Sequence, residues 1–346
     1  MGRKLLISYL IGLVALLLTG LGLRERSYVP GNCDYLYPDI VDTLRRFESV
    51  GLSRAALVQL IDDLNADIEY SKICRRPKLF ERYKPRGVEV PLVYIEGQGF
   101  NVHAINAMNL ATEALSYRGN WTEFYTIMKW MLRYMEIRGN ASFFNFYFRW
   151  EGADIPWNSS LSQGIAAGYY AIAYKKFGDP VFLQAARGLV NSFLVDQKEG
   201  GFVLNTSYGK FYLEYSNSPD DLVLNGFMLS IKGLTLYDSL IGDETSKRLI
   251  REGLETLRGM LPDYDDGQWS LYSIKHGRAD ESYHRLHIRL LYFLGKWYQD
   301  DFLLRYAEKW DYYLRTRAKS ELPRARQEYL FWRELVHELK EEGGGD

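Results

Sequence analysis

AIAYKKFGDPVFLQAA, Ala171 to Ala186, can be laid on YFLGKWYQDDFLLRYA, Tyr292 to Ala307, without a gap. Asp179 then falls on Asp300, Lys175 on Lys296, Leu183 on Leu304 and Ala186 on Ala307, a constant shift of 121 residues. Each copy carries apolar residues at helical spacing on both sides of a polar break, so each reads as two helices joined by a tight turn. Similar breaks stand at Arg118-Gly119-Asn120 and Gly242-Asp243. Two hairpins fit inside the shift, which gives roughly 60 residues per hairpin, longer than common helical solenoid repeats.

The helical pattern is expected over Ala104 to Tyr117, Phe124 to Ile137, Leu161 to Phe177, Phe182 to Phe193, Leu222 to Leu240 and Arg285 to Trp297, and Asp39 to Tyr70 would add a pair at the front. Strand-like stretches bounded by Gly or Asp lie between the pairs, at Phe143 to Trp150, Gly201 to Tyr215 and Gln268 to His276. The fold class expected is mainly α: an incomplete (α/α) toroid of helical hairpins with short β-hairpin insertions, preceded by an N-terminal transmembrane helix.

That helix is read from Leu5 to Leu23, 19 positions without a charge between Arg3-Lys4 and Arg24-Glu25-Arg26, long enough to span a bilayer. A cleaved signal peptide is the competing reading, but the run ends in Thr-Gly-Leu-Gly-Leu without a small-x-small site, which favours an uncleaved anchor. The expected layout is residues 1–26 as stub and anchor, 27–89 as a helical or linker region, 90–318 as the toroid, and 319–346 as a charged helix and tail. The body of a single-pass protein would then lie outside the cytoplasm.

Cys33 and Cys74 make an even pair, open to one disulfide or two thiols. Asn120, Asn140, Asn158 and Asn205 each head a glycosylation sequon. Among 346 residues the formal charge is −1, which excludes a global field for nucleic acid. The one basic cluster, Arg75, Arg76, Lys78, Arg82, Lys84 and Arg86, reads as a solvated loop. The 27 Tyr and 8 Trp suit helix packing and sugar stacking alike.

FYLEYSNSPDDLVLNGF (Phe211 to Phe227), LPDYDDG (Leu261 to Gly267), LYSIKH (Leu271 to His276) and YHRLHI (Tyr283 to Ile288), with VPLVYIEGQGF (Val90 to Phe100) and PWNSSLSQG (Pro156 to Gly164) upstream, resemble the D-glucuronyl C5-epimerase family. The likeness is to the C-terminal catalytic domain of heparan sulfate/heparosan glucuronyl C5-epimerase, and it runs to about Trp310. It implies an (α/α) toroid, a uronic-acid-containing polysaccharide as partner, no cofactor and no metal. The oligomeric state is open, a homodimer included.

Carried over residue by residue, the resemblance implies that Tyr215 and Tyr283 transfer protons, with Tyr272 as a third site tyrosine and Glu214 as acidic partner. Lys275 stands where vertebrate members have arginine, and a point charge grips a carboxylate differently from a planar fork. Those members also place tyrosines near Phe100 and Val102. His276 and His284 join Lys275 as cations or near-cations beside the tyrosines. Gln98, Gln163 and Asn225, all within the matched pieces, complete the substrate-binding set, although Asn225 also reads as a cap or packing residue of the helix after Pro219.

The chemistry of such an inversion fits these residue types. A proton alpha to a carboxylate must leave one face and return on the other, which calls for two opposed acid/base groups, and tyrosine needs a nearby cation to ionise at neutral pH. The second negative charge that develops needs donors around it, such as Lys275 or a protonated Glu214. A polysaccharide lyase shares the first step, and a glycoside hydrolase would instead need two carboxyl groups across one bond, Glu214 with Asp220, Asp221 or Asp266. Non-catalytic glycan binding is a third reading. His284 and His287, at i and i+3, lack a third metal ligand of convincing spacing, and Asp263, Asp265 and Asp266 read as an acidic turn.

Overall fold

The computed structural model describes residues 36–50, 53–73, 75–150 and 154–342. The expected anchor, Cys33 and Cys74 lie outside the described residues. Among those described, no helix is long and apolar enough to cross a membrane. The chain forms two compact units, one from the described residues up to Ala107 with Phe146–Arg149, the other from Met108–Asn145 and from Trp150 onward. Residues 90–107, expected with the hairpins, group with the first unit.

In the first unit, α1 (Leu36–Ser49) packs against α2 (Arg54–Ser71), the front pair that the apolar spacing of Asp39 to Tyr70 suggests. Strands β1 (Arg82–Tyr83), β2 (Leu92–Ile95) and β3 (Gly99–Asn101) form an antiparallel sheet in that order. Two buried carboxylates on α2 tie helix to strand: Asp67 accepts from the Phe100 N–H at 2.7 Å and Asp63 from the Val102 N–H at 2.8 Å. Burial pushes both well above the usual carboxylate range. The basic cluster is studded with ion pairs, Arg75 with Glu81, Arg76 with Glu96 and Lys84 with Glu89, as a solvated loop would be.

The second unit is built of hairpins. α3 (Ala104–Ser116), which belongs to this unit from Met108 onward, precedes α4 (Trp121–Met131), followed by the pairs α5 (Ser160–Phe177) with α6 (Pro180–Ser192), α7 (Leu224–Leu240) with α8 (Glu244–Met260), and α9 (Glu281–Tyr298) with α10 (Asp301–Arg315). The turns share one chemistry. A residue at positive φ, Gly119, Gly178, Gly242 or Gln299, ends the first helix, and the next residue, Asn120, Asp179, Asp243 or Asp300, caps the second through its side chain. The left-handed residue breaks the helical path and the side-chain oxygen takes up the orphan N–H groups of the next helix.

Between the pairs lie the hairpins β4 (Met135–Arg138) with β5 (Ala141–Phe146), β7 (Val203–Thr206) with β8 (Gly209–Tyr212), and β9 (Leu271–Ser273) with β10 (Gly277–Arg278), while β6 (Trp157–Asn158) adds to β5. The helix expected to run to Ile137 stops at Met131 instead. Met135 to Arg138 pair with Phe144 to Ala141, and the four-residue alternation Met-Glu-Ile-Arg is too short to separate strand from helix when it follows directly on a helical pattern.

Packing sorts the helices into two layers. α5 lies on α7 and α7 on α9, while α6, α8 and α10 each back their own partner. The α5–α7 contact is close because it lacks side chains: a Cβ at Gly233 would fall 2.1 Å from the Gly164 carbonyl, and one at Gly168 2.8 Å from the Gly233 carbonyl oxygen. The C-terminal helix α11 (Leu322–Glu342) packs on α5, α7 and α9. Its buried Trp332 stacks on Tyr169, and Glu321, just ahead of it, bridges Arg285 at 2.8 Å and Arg289 at 2.7 Å.

Candidate active site

The segments entering α5, α7 and α9 are stitched together at one end of the layer. Ser160 donates its N–H to the Leu213 carbonyl and its hydroxyl to that of Tyr212, both at 3.0 Å. The Ser216 N–H returns to the Asn158 carbonyl at 3.1 Å, and Ser216 Oγ accepts from the Asn158 N–H at 3.0 Å. Glu214 and Tyr215 are therefore held on a rigid strand exit. Three helix N-termini at this end bring partial positive charge, favourable to an anion.

Glu214 is buried, and Asn225 Nδ2 donates to its Oε2 at 3.2 Å. A Cβ on Gly226 would fall 2.3 Å from that same oxygen, so Gly226 makes the space the carboxyl occupies. The ring of Tyr215 lies 5.6 Å from that of Trp157, and its hydroxyl is 3.4 Å from the Tyr272 hydroxyl. Tyr272, on β9, sets its ring 4.8 Å from Tyr283 and 6.1 Å from His276. Tyr283 sits in the first turn of α9, where Asp280 accepts its N–H at 2.9 Å. At 37 % exposure it is the most open of the three tyrosines' anchoring positions toward solvent, against 7 % for Tyr215.

Lys275 and His276 follow in register. Lys275 Nζ bonds Asp220 at 2.9 Å, both side chains exposed, and His276 Nε2 bonds Asp221 at 3.0 Å. The Lys275 ammonium holds the Asp220 carboxyl below its usual range. Neither aspartate belongs to the substrate-binding set read from the sequence. Their signal is the Asp220-Asp221 pair ahead of α7, which needs the fold to bring it to the β9–β10 turn.

Other expected site residues spend their polar atoms on the protein. Gln163 is sealed, accepting from the Phe144 N–H and donating to the Phe144 carbonyl, both at 3.1 Å. Its amide holds β5 to α5 rather than facing a ligand. His284 and His287 are buried around Ser270, whose Oγ lies 2.7 Å from His284 Nδ1 and 2.8 Å from His287 Nδ1. His284 Nε2 also donates to the Trp310 carbonyl at 3.0 Å, and its ring stacks 3.7 Å from Trp269. Burial holds both imidazoles low, at about 4 and about 3, so neither supplies a cation at neutral pH.

Gln98 lies in the first unit, where its amide brackets Arg149 through that residue's N–H and carbonyl. Phe100 there packs among Tyr70, Tyr83 and Tyr94. The acidic turn is occupied by protein donors: Asp265 takes Lys309, Trp310 and Tyr313, and Asp266 the N–H groups of Gln268 and Trp269. Among the sequons, Asn158 is buried and donates to the Gly200 carbonyl, so it is closed to glycan attachment in the folded chain.

Residues 115–312, more than half of the chain, match the family described as D-glucuronyl C5-epimerase C-terminus. The chain is 30% identical over 174 residues to the D-glucuronyl C5-epimerase of Caenorhabditis elegans, an alignment covering 44% of this chain and 28% of that protein. It is 29% identical over 172 residues to an uncharacterized protein of Methanocaldococcus jannaschii, covering 48% of this chain and 56% of that one. The chain thus spans less than two thirds of either relative. Glu214, Tyr215, Tyr272, Lys275 and Tyr283 all fall within the matched residues, and α11 falls beyond them.

Proposed function

We propose, for a chain that belongs to the D-glucuronyl C5-epimerase C-terminus family, that it inverts C5 of D-glucuronate units within a polysaccharide to give L-iduronate. The observation that carries this reading is the contiguous run of phenols, Tyr215 to Tyr272 at 3.4 Å between hydroxyls and Tyr272 to Tyr283 at 4.8 Å between rings, beside the buried Glu214.

A tyrosinate oxygen takes the C5 proton, the electron pair moves into the adjoining carboxylate as an enolate, and a tyrosine O–H on the other face returns a proton to C5. Tyr215 and Tyr283 are assigned these roles, and Tyr272 the bridge between them. A protonated Glu214 donates to the enolate oxygen, and Lys275 and His276 meet the uronate carboxylate. Asn225 serves this site by holding Glu214.

The two helical layers support the finer fold reading, an incomplete (α/α) toroid with α5, α7 and α9 inside. The same proposal takes Leu5 to Leu23 as a membrane anchor, with the catalytic unit outside the cytoplasm.

Incubating the full chain with glucuronate polymers in deuterated water tests the reading. Deuterium at C5 with unchanged chain length is the expected result, and no exchange across a panel of uronate polymers would sink it. Shortened chains carrying an unsaturated, ultraviolet-absorbing uronate would make the protein a lyase instead.

A further inference from the structure

Two neighbouring carboxylates, Asp220 and Asp221, face two neighbouring nitrogen side chains, Lys275 and His276, but the two pairs differ in kind. The Asp220–Lys275 pair is exposed at both ends. In the second, the Asp221 side chain is only 3 % exposed while that of His276 is 42 % exposed. Asp221 is also fixed from behind, its N–H donating to the Ser218 carbonyl at 3.0 Å, while Tyr264 donates to the carbonyl of the next residue, Leu222, at 2.6 Å.

Asp221 Oδ1 is buried without a hydrogen-bond partner among the described residues. A buried carboxylate oxygen left unmatched costs stability, and an apolar side chain would fill the same place without that cost. Such a carboxylate, aimed at a half-exposed imidazole on the edge of a tyrosine cluster, is the arrangement by which a histidine is given one orientation and one tautomer.

We propose that Asp221 is a positioning residue that acts through His276: it accepts from Nε2–H and so presents the imidazole ring to Tyr272 in one orientation and one tautomer. An ionised carboxylate only accepts, so the Nε2 contact at 3.0 Å puts the hydrogen on Nε2. The ring then lies 6.1 Å from that of Tyr272, edge toward face at 68°. His276 is further held by its own N–H, which donates to Ser273 Oγ at 3.1 Å. The catalytic consequence rests on the epimerase reading above, whereas the tautomer does not.

The test uses the full chain as wild type, Asp221→Asn, His276→Gln and the double variant. Nitrogen NMR of the imidazoles, with His276 identified by the signal that His276→Gln removes, should show a single Nε2–H tautomer in wild type and its loss in Asp221→Asn. C5 deuterium exchange should fall about 10- to 100-fold in kcat for Asp221→Asn with KM little changed. Adding Asp221→Asn to His276→Gln should cost almost nothing more, because a residue that acts only through another has no separate effect.

A wild-type His276 carrying its hydrogen on Nδ1 overturns the proposal even if Asp221→Asn does not fold. Losses that simply add in the double variant overturn it as well, since they mark a structural carboxylate. Absence of C5 exchange in wild type would instead count against the epimerase reading, and the NMR arm would still decide the Asp221–His276 pairing.

Discussion

The hydroxyls of Tyr215 and Tyr272 stand 3.4 Å apart, and Tyr272 in turn packs against Tyr283, so residues from three separate segments meet as one phenol cluster. Replacing Tyr215 or Tyr283 with Phe removes a single oxygen and keeps the ring. C5 deuterium incorporation should fall by about 10²–10⁴ in each variant, with thermal unfolding close to wild type. An active Tyr215→Phe and an active Tyr283→Phe would together remove the pair from the mechanism.

Asp220 pairs with Lys275 at the surface, and on the epimerase reading a uronate carboxylate would compete with it for the ammonium. The pair is exposed, so its own strength is small and easily screened. Asp220→Asn should lower KM for a uronate polymer about two- to fivefold at low salt, with the gain fading as salt is added. A raised KM would mean that Asp220 orients Lys275 instead of masking it.

Gly233 has no room for a methyl group against the Gly164 carbonyl. Gly233→Ala should push α5 from α7 and cost about 1–3 kcal/mol by denaturant unfolding. Because these two helices carry the Trp157 and Glu214–Tyr215 segments at their N-termini, activity should fall further than the stability loss alone explains. A variant of wild-type stability would show that the two helices can separate freely.

Gln299 takes a left-handed conformation, φ 54°, where the equivalent turn at Gly178 has glycine at φ 70°. A side chain there is strained by about 1–2 kcal/mol, partly offset by the chain entropy that glycine gives up. Gln299→Gly should therefore stabilise the protein by about 0.5–1 kcal/mol, and Gly178→Ala should destabilise it. Calorimetry reads both signs.

His284 and His287 are neutral in the fold, held down to about 4 and about 3 by burial, whereas the unfolded chain returns them to about 6.5. Below that value the unfolded state binds more protons, so their contribution is complete above pH ~6.5 and is lost as pH falls toward the folded values. Denaturant unfolding between pH ~6.5 and ~4 should show this slope, and His287→Leu should flatten it by about one proton. An unchanged slope would mean that His287 is already charged in the fold.

The hairpin plan was legible because its signals are local. Gly178-Asp179, Gly242-Asp243 and Gln299-Asp300 end one helix and cap the next through atoms a few residues away, and the shift between the two repeat copies records the same turn twice. The end of α4 was not legible. Met135 to Arg138 become a strand because Ala141 to Phe144 lie beside them, and four residues that alternate apolar and charged suit either conformation. Gln163 looked like a ligand-binding amide for a similar reason: only the packed chain shows both its polar ends committed to Phe144.

By itself the order of residues determined that helices come in capped pairs, that strand hairpins separate them, and which tyrosines, glutamate and lysine to watch. Turn chemistry, periodicity and motif are properties of neighbours along the chain, so they survive without a fold. Only the tertiary structure decided that Tyr272 joins Tyr215 to Tyr283, that Asp221 stands behind His276, and that His284 and His287 face Ser270 instead of a ligand. Burial and hydrogen-bond partnership depend on residues tens of positions away, and no local pattern encodes which of them will arrive.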